Sequence, residues 1–494
     1  MSSANGRQDL SALGVQDLSA LGIQALVDPG KTPTDEQVRV IEAPRRPLLV
    51  VAGAGSGKTE TMSMRVLWLV ANHEDIAPSS VLGLTFTRKA AGELGDRLRQ
   101  RLALLAGRVP SLRERLDEDP VSLTYNSFAE RIVAEHGMRI GIDPDFTMLT
   151  EAGAVDLMTQ IVEGWPTDLD EDLSPSAAVG HCLHLAGEVG EHGYTVEEAR
   201  DALEGFGRDL EQIGATNDTA RKTLRANARR LAYLGPVEEF QRRKREGGLL
   251  DFSDQLVLAT RIVRGAPAVR AQVRDEFQAV LLDEFQDTSV IQMELLSLLF
   301  HDHAVTAVGD PNQAIYGWRG ASASSLERFL DRFQDGPAQP GQTLTLSTAW
   351  RNDRNILRAA NRVAAPLREH SRAAKSPVLR ARPGAGEGRV DVAYTQDYRS
   401  ALGAVVDFVS AHRARGTQEG KRPTTAVLCR RRSDFPYVDM ALREAGVPTQ
   451  IVGLGGLLDQ PSVQDARAAL VLADDVEASP WLASCLLYTS DAAD

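Results

Sequence analysis

The chain has 494 residues, 43% of them apolar and 25% charged, the balance of an ordinary soluble protein with roughly three or four domains. No apolar run approaches the length of a bilayer span, and Met1 to Ser19 lacks a basic start followed by a hydrophobic core, so neither a membrane partner nor a secretory leader is expected and the reading is cytoplasmic. Cys182, Cys429 and Cys485 stand far apart without metal-ligand spacing, as suits a reducing compartment.

The net charge of −13 taken alone argues against nucleic acid, but it averages over faces. Arginine clusters at Arg97 to Arg101, Arg242 to Arg245 and Arg430 to Arg432 read either as solvated helix faces or as phosphate contacts. In chain order, residues 1–30 repeat QDLSALG at Gln8 to Gly14 and Gln16 to Gly22; two copies closed by glycine suggest a mobile leader or short helical turns. Thr32 to Ala43 then reads as a helix capped by Thr34, with Gln37 as its box partner. The cap explains Gln37 adequately, and so would an adenine edge read by its donor and acceptor.

Pro47 to Ala52 is an apolar run that enters a glycine-rich turn, Ala54, Gly55, Ser56, Gly57, Lys58 and Thr59. Backbone N–H groups and a helix N-terminus there would cradle phosphate, Lys58 would supply charge, and the Thr59 hydroxyl could ligate Mg²⁺. The strict pattern asks for glycine where Ala52 stands. An amphipathic helix over Met62 to Val70, a strand over Val81 to Phe86, a helix through Leu104 and a strand over Val121 to Phe128 follow, an alternation that favours a parallel sheet covered on both faces. Residues 129–246 turn helical with acidic connections, as an insertion. Phe277 to Leu282 and Val305 to Val308 resume the strands, and after a linker at Gly336 to Gly341 a second α/β domain is expected, with strands at Arg389 to Tyr394, Thr425 to Cys429 and Thr449 to Val452 between helices.

An apolar strand ending in Asp283 and Glu284 is a turn, a helix cap, or half of a phosphoryl-transfer site. Paired with the cradle upstream, it reads as a metal carboxylate, Asp283, and a base for the attacking water, Glu284. Gln313 and Arg351 are candidates for sensing the γ-phosphate and stabilising transition-state charge, although Arg351 is equally a surface helix cap. Phe86, Tyr125, Tyr316 and Trp318 sit in polar, glycine-containing or strand-end settings, where aromatics serve either as core or as platforms for single-stranded bases.

These segments, in this order, resemble the superfamily 1A DNA helicases of the UvrD/Rep/PcrA group: Gln37, AGAGSGKT at 52–59, LTFTRKAAGEL at 84–94, TYNSFAE at 124–130, DFSDQL at 251–256, LLDEFQDT at 281–288, VGDPNQAIYGWRGAS at 308–322 and WRN at 350–352. Ala at position 52 is common in that group. The resemblance covers about residues 32–475 and implies an α/β chain: a RecA-like P-loop domain 1A (31–128 and 247–335), a helical insertion 1B (129–246), and a partial RecA-like domain 2A (342–475), with 476–494 a non-native or disordered tail. It implies ATP and Mg²⁺ as cofactors, and 3′ to 5′ translocation on single-stranded DNA and duplex junctions in repair or recombination. Gln37 would read adenine and Trp350 stack on it; Thr59 and Asp283 would serve the metal, and Glu284, Gln313 and Arg351 catalysis. Phe86, Thr87, Tyr125, Asn126, Tyr316 and Trp318 would touch DNA. Asn126 in place of the usual His, Glu60 where Arg is common, and the Ala and Arg rich composition point to a branch with a second helicase or nuclease subunit. The later TLHxAKGLE-like and VAxTRA-like segments do not occur, so the expectation is the front half of a longer helicase. The alternative is an ATP- and DNA-binding fragment without motor activity.

Overall fold

The computed structural model describes residues 18–143, 146–167, 169, 173–214, 217–317, 325–334, 341–370, 375–418, 420, 424–452 and a few positions between 463 and 473. They form two compact units, Met1–Arg389 and Val390–Asp494.

The first unit is built on one parallel sheet of six strands. Across the sheet the order is Val121–Thr124, Val81–Thr85, Ala279–Leu282, Val305–Gly309, Leu48–Ala52 and Gln342–Leu346, and every neighbouring pair is parallel. The central strands are apolar at successive positions because both faces are covered. Leu49, Val51, Leu82, Leu84, Val280 and Leu282 pack with Phe128, Phe277 and Phe300 on one side. Leu48, Val50, Val81, Ala279 and Leu281 pack with Met64, Leu67 and Leu98 on the other.

In a parallel sheet all strands end on the same edge. Here each C-terminal end delivers a segment singled out by the sequence: the cradle after Ala52, Phe86 after Thr85, Tyr125 after Thr124, Asp283 after Leu282, Asp310 after Gly309 and Trp350 shortly after Leu346. That edge is where open α/β sheets bind ligands.

The helix expected to be amphipathic after the cradle, Lys58–Asn72, is instead covered nearly all round, with Thr61 to Leu67 and Leu69 to Ala71 buried. Helices Ala20–Val27 and Asp35–Ile41 and the helix Arg88–Arg108 supply the extra cover. Ala129, Ile132 and Val133, in helix Tyr125–His136, pack in the core of the sheet. The helical insertion has its own core, in which Met158, Ile161, Cys182, Leu185, Leu234 and Phe240 meet. A short parallel ladder, Thr147–Met148 with Leu249–Leu250, ties its entry to its exit. Beside that ladder Lys244 donates to Asp251 (2.5 Å) and Asp254 (2.7 Å), so the carboxylates of DFSDQL anchor the last insertion helix to the next one.

In the second unit, helices Tyr398–Gln418 and Phe435–Glu444 share a small core of Val409, Leu442 and Val447. The three segments expected as strands there carry no ladder among the described residues. Val392 and Leu428 are 92% and 94% exposed, and a β-prone segment becomes a strand only when a partner supplies the hydrogen bonds.

Candidate nucleotide and single-strand site

The cradle runs from Ala52 to Lys58. Ala52 is the last residue of its strand, so the backbone there has no need of glycine. The need falls at Gly55 and Gly57, whose φ values of 73° and 82° lie in the left-handed region. A Cβ at Gly55 would come within 2.9 Å of the Arg351 Cβ, and one at Gly57 within 3.0 Å of Gln37 Nε2. Trp350 N–H donates to the Gly55 carbonyl at 2.8 Å. Gln37 closes the capping box with Thr34 and donates from Nε2 to Thr61 Oγ1 at 3.2 Å, so it braces the turn.

A cavity of about 830 Å³ opens over the turn, lined by residues 53–60 together with Glu284, Gln313, Trp350 and Arg351. Inside the turn the Ser56 hydroxyl is buried and has no hydrogen-bond partner among the described residues. A polyphosphate fits this setting: an orphaned hydroxyl, a lysine and a helix N-terminus face one opening. Arg97, Arg368 and Asn312 also line the cavity and were not singled out by motif. Arg97 belongs to an arginine cluster, and its partner one turn on, Arg101, grips both oxygens of Glu60 at 2.7 Å; the (i, i+4) spacing was the available signal.

Lys58 Nζ donates to Glu284 Oε2 at 2.8 Å. Glu284 has φ 49° and ψ 41°, a left-handed backbone that costs a non-glycine residue roughly 1–3 kcal/mol. Asp283 Oδ1 accepts from the Glu284 N–H at 3.0 Å, and the Asp283 carbonyl accepts from the Tyr125 hydroxyl at 3.0 Å. Burial, and then the charge of Glu284, push the Asp283 carboxyl up to about 6, and the same two causes push Asp287 up to about 6. A strand end with this surplus of negative charge suits a divalent cation, with Asp283 and the Thr59 hydroxyl as the groups to hold it.

A carboxyl whose folded pKa lies above its unfolded value holds its proton more tightly when folded. The stability it contributes therefore falls as pH rises from about 4 to about 6, and the full penalty stands at neutral pH. Asp283→Asn removes that penalty. In the absence of ligand it is expected to stabilise the protein by about 3 kcal/mol at pH 7.5 and to flatten the pH dependence between about pH 4 and 6. Urea unfolding at about pH 4 and at pH 7.5 checks this, and equal stability of the two proteins at pH 7.5 would contradict it.

Two further groups line the first cavity. Asp310 is buried; its Oδ2 accepts from Gln313 Nε2 at 2.7 Å and its Oδ1 from Ser376 Oγ at 2.9 Å. Arg351 is exposed at the rim of the cavity.

A second, smaller cavity of about 140 Å³ lies on the same edge of the sheet. Phe86, Thr87, Tyr125, Asn126 and Tyr316 line it with Asp287 and Gln292. The Phe86 and Tyr125 rings lie 4.8 Å apart, tilted by 51°, and Asn126 Oδ1 accepts from Gln292 Nε2 at 3.5 Å. Burial raises the Tyr125 phenol well above its ordinary value, so it remains a donor. Five of the six residues expected to touch DNA thus share one cavity; Trp318 lies outside the described residues.

The sequence from 33 to 334 matches the model of the UvrD/REP helicase N-terminal domain. The chain belongs to this family. Among curated relatives of this UvrD/REP chain, DNA helicase II of Escherichia coli (strain K12) is 28% identical over 440 residues, 89% of this chain and 54% of the relative. ATP-dependent DNA helicase PcrA of Staphylococcus epidermidis (strain ATCC 12228 / FDA PCI 1200) is 26% identical over 443 residues, 89% and 53%. ATP-dependent DNA helicase UvrD2 of Mycobacterium tuberculosis (strain ATCC 25618 / H37Rv) is 28% identical over 443 residues, 88% and 57%. The chain spans about half the length of the curated relatives it matches. Among the described residues no helix is long and apolar enough to cross a membrane.

Proposed function

We propose that this UvrD/REP chain binds ATP with Mg²⁺ at the cradle and single-stranded DNA at the aromatic cavity, and acts in ATP-driven DNA unwinding. The observation that carries the proposal is the placement of both cavities on one sheet edge, with the segment from Asp283 to Asp287 between them: Glu284 lines the first and Asp287 the second.

In this reading Lys58 exchanges its bond to Glu284 for a phosphate, and Ser56 and the cradle amides hold the rest of the chain of phosphates. Bound ATP supplies the energy-rich anhydride, and its metal neutralises phosphate charge. Glu284, freed from Lys58, takes the proton of the attacking water at its carboxylate. Gln313, oriented by Asp310, reports the γ-phosphate, and Arg351 at the rim stabilises transition-state charge. Trp350, in the cavity wall, stacks on the adenine, and Gln37 reads its edge by exchanging its bond to Thr61 for the base. At the second cavity Phe86 and Tyr316 stack bases while Thr87 and Asn126 contact the backbone; Tyr125, buried beneath them with its hydroxyl on the Asp283 carbonyl, supports that platform, and the role of Trp318 rests on its motif alone.

In this proposal the five strands of the large sheet between Leu48 and Gly309 with their helices are domain 1A, the separate helical core is 1B, and 2A begins at 342, its first strand Gln342–Leu346 lying beside Leu48–Ala52 in the same sheet. Translocation runs 3′ to 5′ on single strands and duplex junctions, in repair or recombination, with a cytoplasmic location as the corollary of a DNA substrate. The relatives named as DNA helicases support the chemistry; the expectation of a second helicase or nuclease subunit rests only on Asn126, Glu60 and the composition. Steady-state phosphate release from ATP with and without oligo(dT) tests the proposal, and a rise on adding the strand is expected.

A further inference from the structure

The two cavities are joined by a side chain that lines neither. Gln286 is 1% exposed and sits in the short turn Phe285–Asp287. Its Nε2 donates to Glu284 Oε2 at 2.9 Å and to Asp287 Oδ2 at 3.3 Å. Its Oε1 accepts from the Asp310 N–H at 3.0 Å, and the Asp310 carboxylate in turn holds Gln313. One planar amide therefore touches the water base, the anchor of the γ-phosphate sensor and an acid in the wall of the aromatic cavity.

We infer that Gln286 is a positioning residue that couples nucleotide at the cradle to single-stranded nucleic acid at the aromatic cavity. The inference rests on the function proposed above for those two cavities. Glu284 Oε2 is shared between Lys58 and Gln286. When a phosphate takes Lys58, Glu284 loses its cation, and its bond to Gln286 must shorten or turn to compensate. The amide hydrogens are fixed in one plane, so a turn toward Glu284 is a turn away from Asp287. A strand that contacts Asp287 acts on the same amide from the other end. Each ligand thereby changes the free energy of binding of the other, and the effect is reciprocal. The packing leaves the amide little freedom to respond otherwise: a Cβ on Gly309 would stand 2.7 Å from Gln286 Oε1.

The test uses the whole chain and two probes, a fluorescent non-hydrolysable ATP analogue with Mg²⁺ and oligo(dT). The affinity of each is titrated with and without saturating amounts of the other. The wild-type protein is expected to show a mutual change of about fivefold or more, equal in both directions. Gln286→Met fills the same space without the hydrogen bonds; each probe alone should bind within about twofold of wild type, while the mutual factor falls to about one. Should that variant fail to fold, Gly309→Ala displaces the amide from a neighbouring strand and is expected to lower the factor likewise. A variant that keeps the wild-type factor overturns the inference, and so does a wild-type protein that binds both probes independently. Loss of either probe's own binding in folded Gln286→Met also overturns it, by making Gln286 a binding residue. A wild-type protein that binds neither probe overturns the underlying function and the coupling together.

Discussion

Glu284→Gln is expected to lower ATP turnover by about 10²–10⁴-fold while leaving the nucleotide bound. The amide keeps the size and the acceptor oxygen of the carboxylate, so Lys58, 2.8 Å away, retains a partner in the ligand-free protein. What is lost is the group able to take a proton from water. The substitution also takes a negative charge from beside Asp283, whose carboxyl is held up at about 6 partly by that charge. Asp283 then ionises more readily, and affinity for nucleotide with its metal should hold or improve. Phosphate release together with binding of a labelled ATP analogue checks both halves. Turnover within about threefold of wild type would remove Glu284 from the role of base, since general base catalysis is worth far more. Loss of binding would make it a structural anchor for the cradle.

Arg65→Met is expected to cost about 3–5 kcal/mol of stability, an effect on the scale of breaking a buried polar network. Arg65 lies in the middle of the cradle helix and is 1% exposed. Its guanidinium donates to the carbonyls of Val40 (2.9 Å), Ile41 (3.1 Å), Ala43 (2.8 Å) and Pro44 (3.1 Å) and to the Thr306 hydroxyl (2.9 Å). It thus satisfies the open carbonyls at the end of helix Asp35–Ile41, where a cation also suits the helix dipole. Burial pushes its pKa down to about 10, so it keeps its charge at neutral pH. Methionine fills the space but leaves those carbonyls without donors. Lysine, with one nitrogen in place of three, should recover only part of the loss. Urea unfolding measures the effect, and a change below about 1 kcal/mol would show that water replaces the guanidinium without penalty.

Arg65 also marks where the sequence was least legible. In MSMRVLWLV a single arginine reads as the polar face of an amphipathic helix, because periodicity reports only the apolar positions. The carbonyls that bury it come from a helix and a turn more than 20 residues upstream, and no local pattern announces them. Gln286 escaped for a related reason: DEFQDT displays its acids, whereas the value of the amide depends on Asp310, 24 residues on. The cradle, the acidic strand end and the sheet were legible because their chemistry is local, each consisting of a short apolar strand followed by polar residues at its C-terminal end. Parallel topology then brings those ends to one edge without any long-range signal in the sequence. Gln37 was readable as a helix cap, and the cap is what the structure displays; its brace on Thr61 adds the link to the cradle. The second unit illustrates the opposite limit. Thr425 to Cys429 has strand composition, yet propensity fixes no ladder without a neighbouring strand.

The two cavities on one sheet edge are meaningful only if a strand in one changes the chemistry in the other. Phosphate release from ATP by the wild-type protein, measured with and without saturating oligo(dT) against a Lys58→Ala background, examines that link most directly. A rise of about tenfold or more with the single strand is the expected result. A rate unchanged by oligo(dT), under conditions where the strand is shown to be bound, would contradict it.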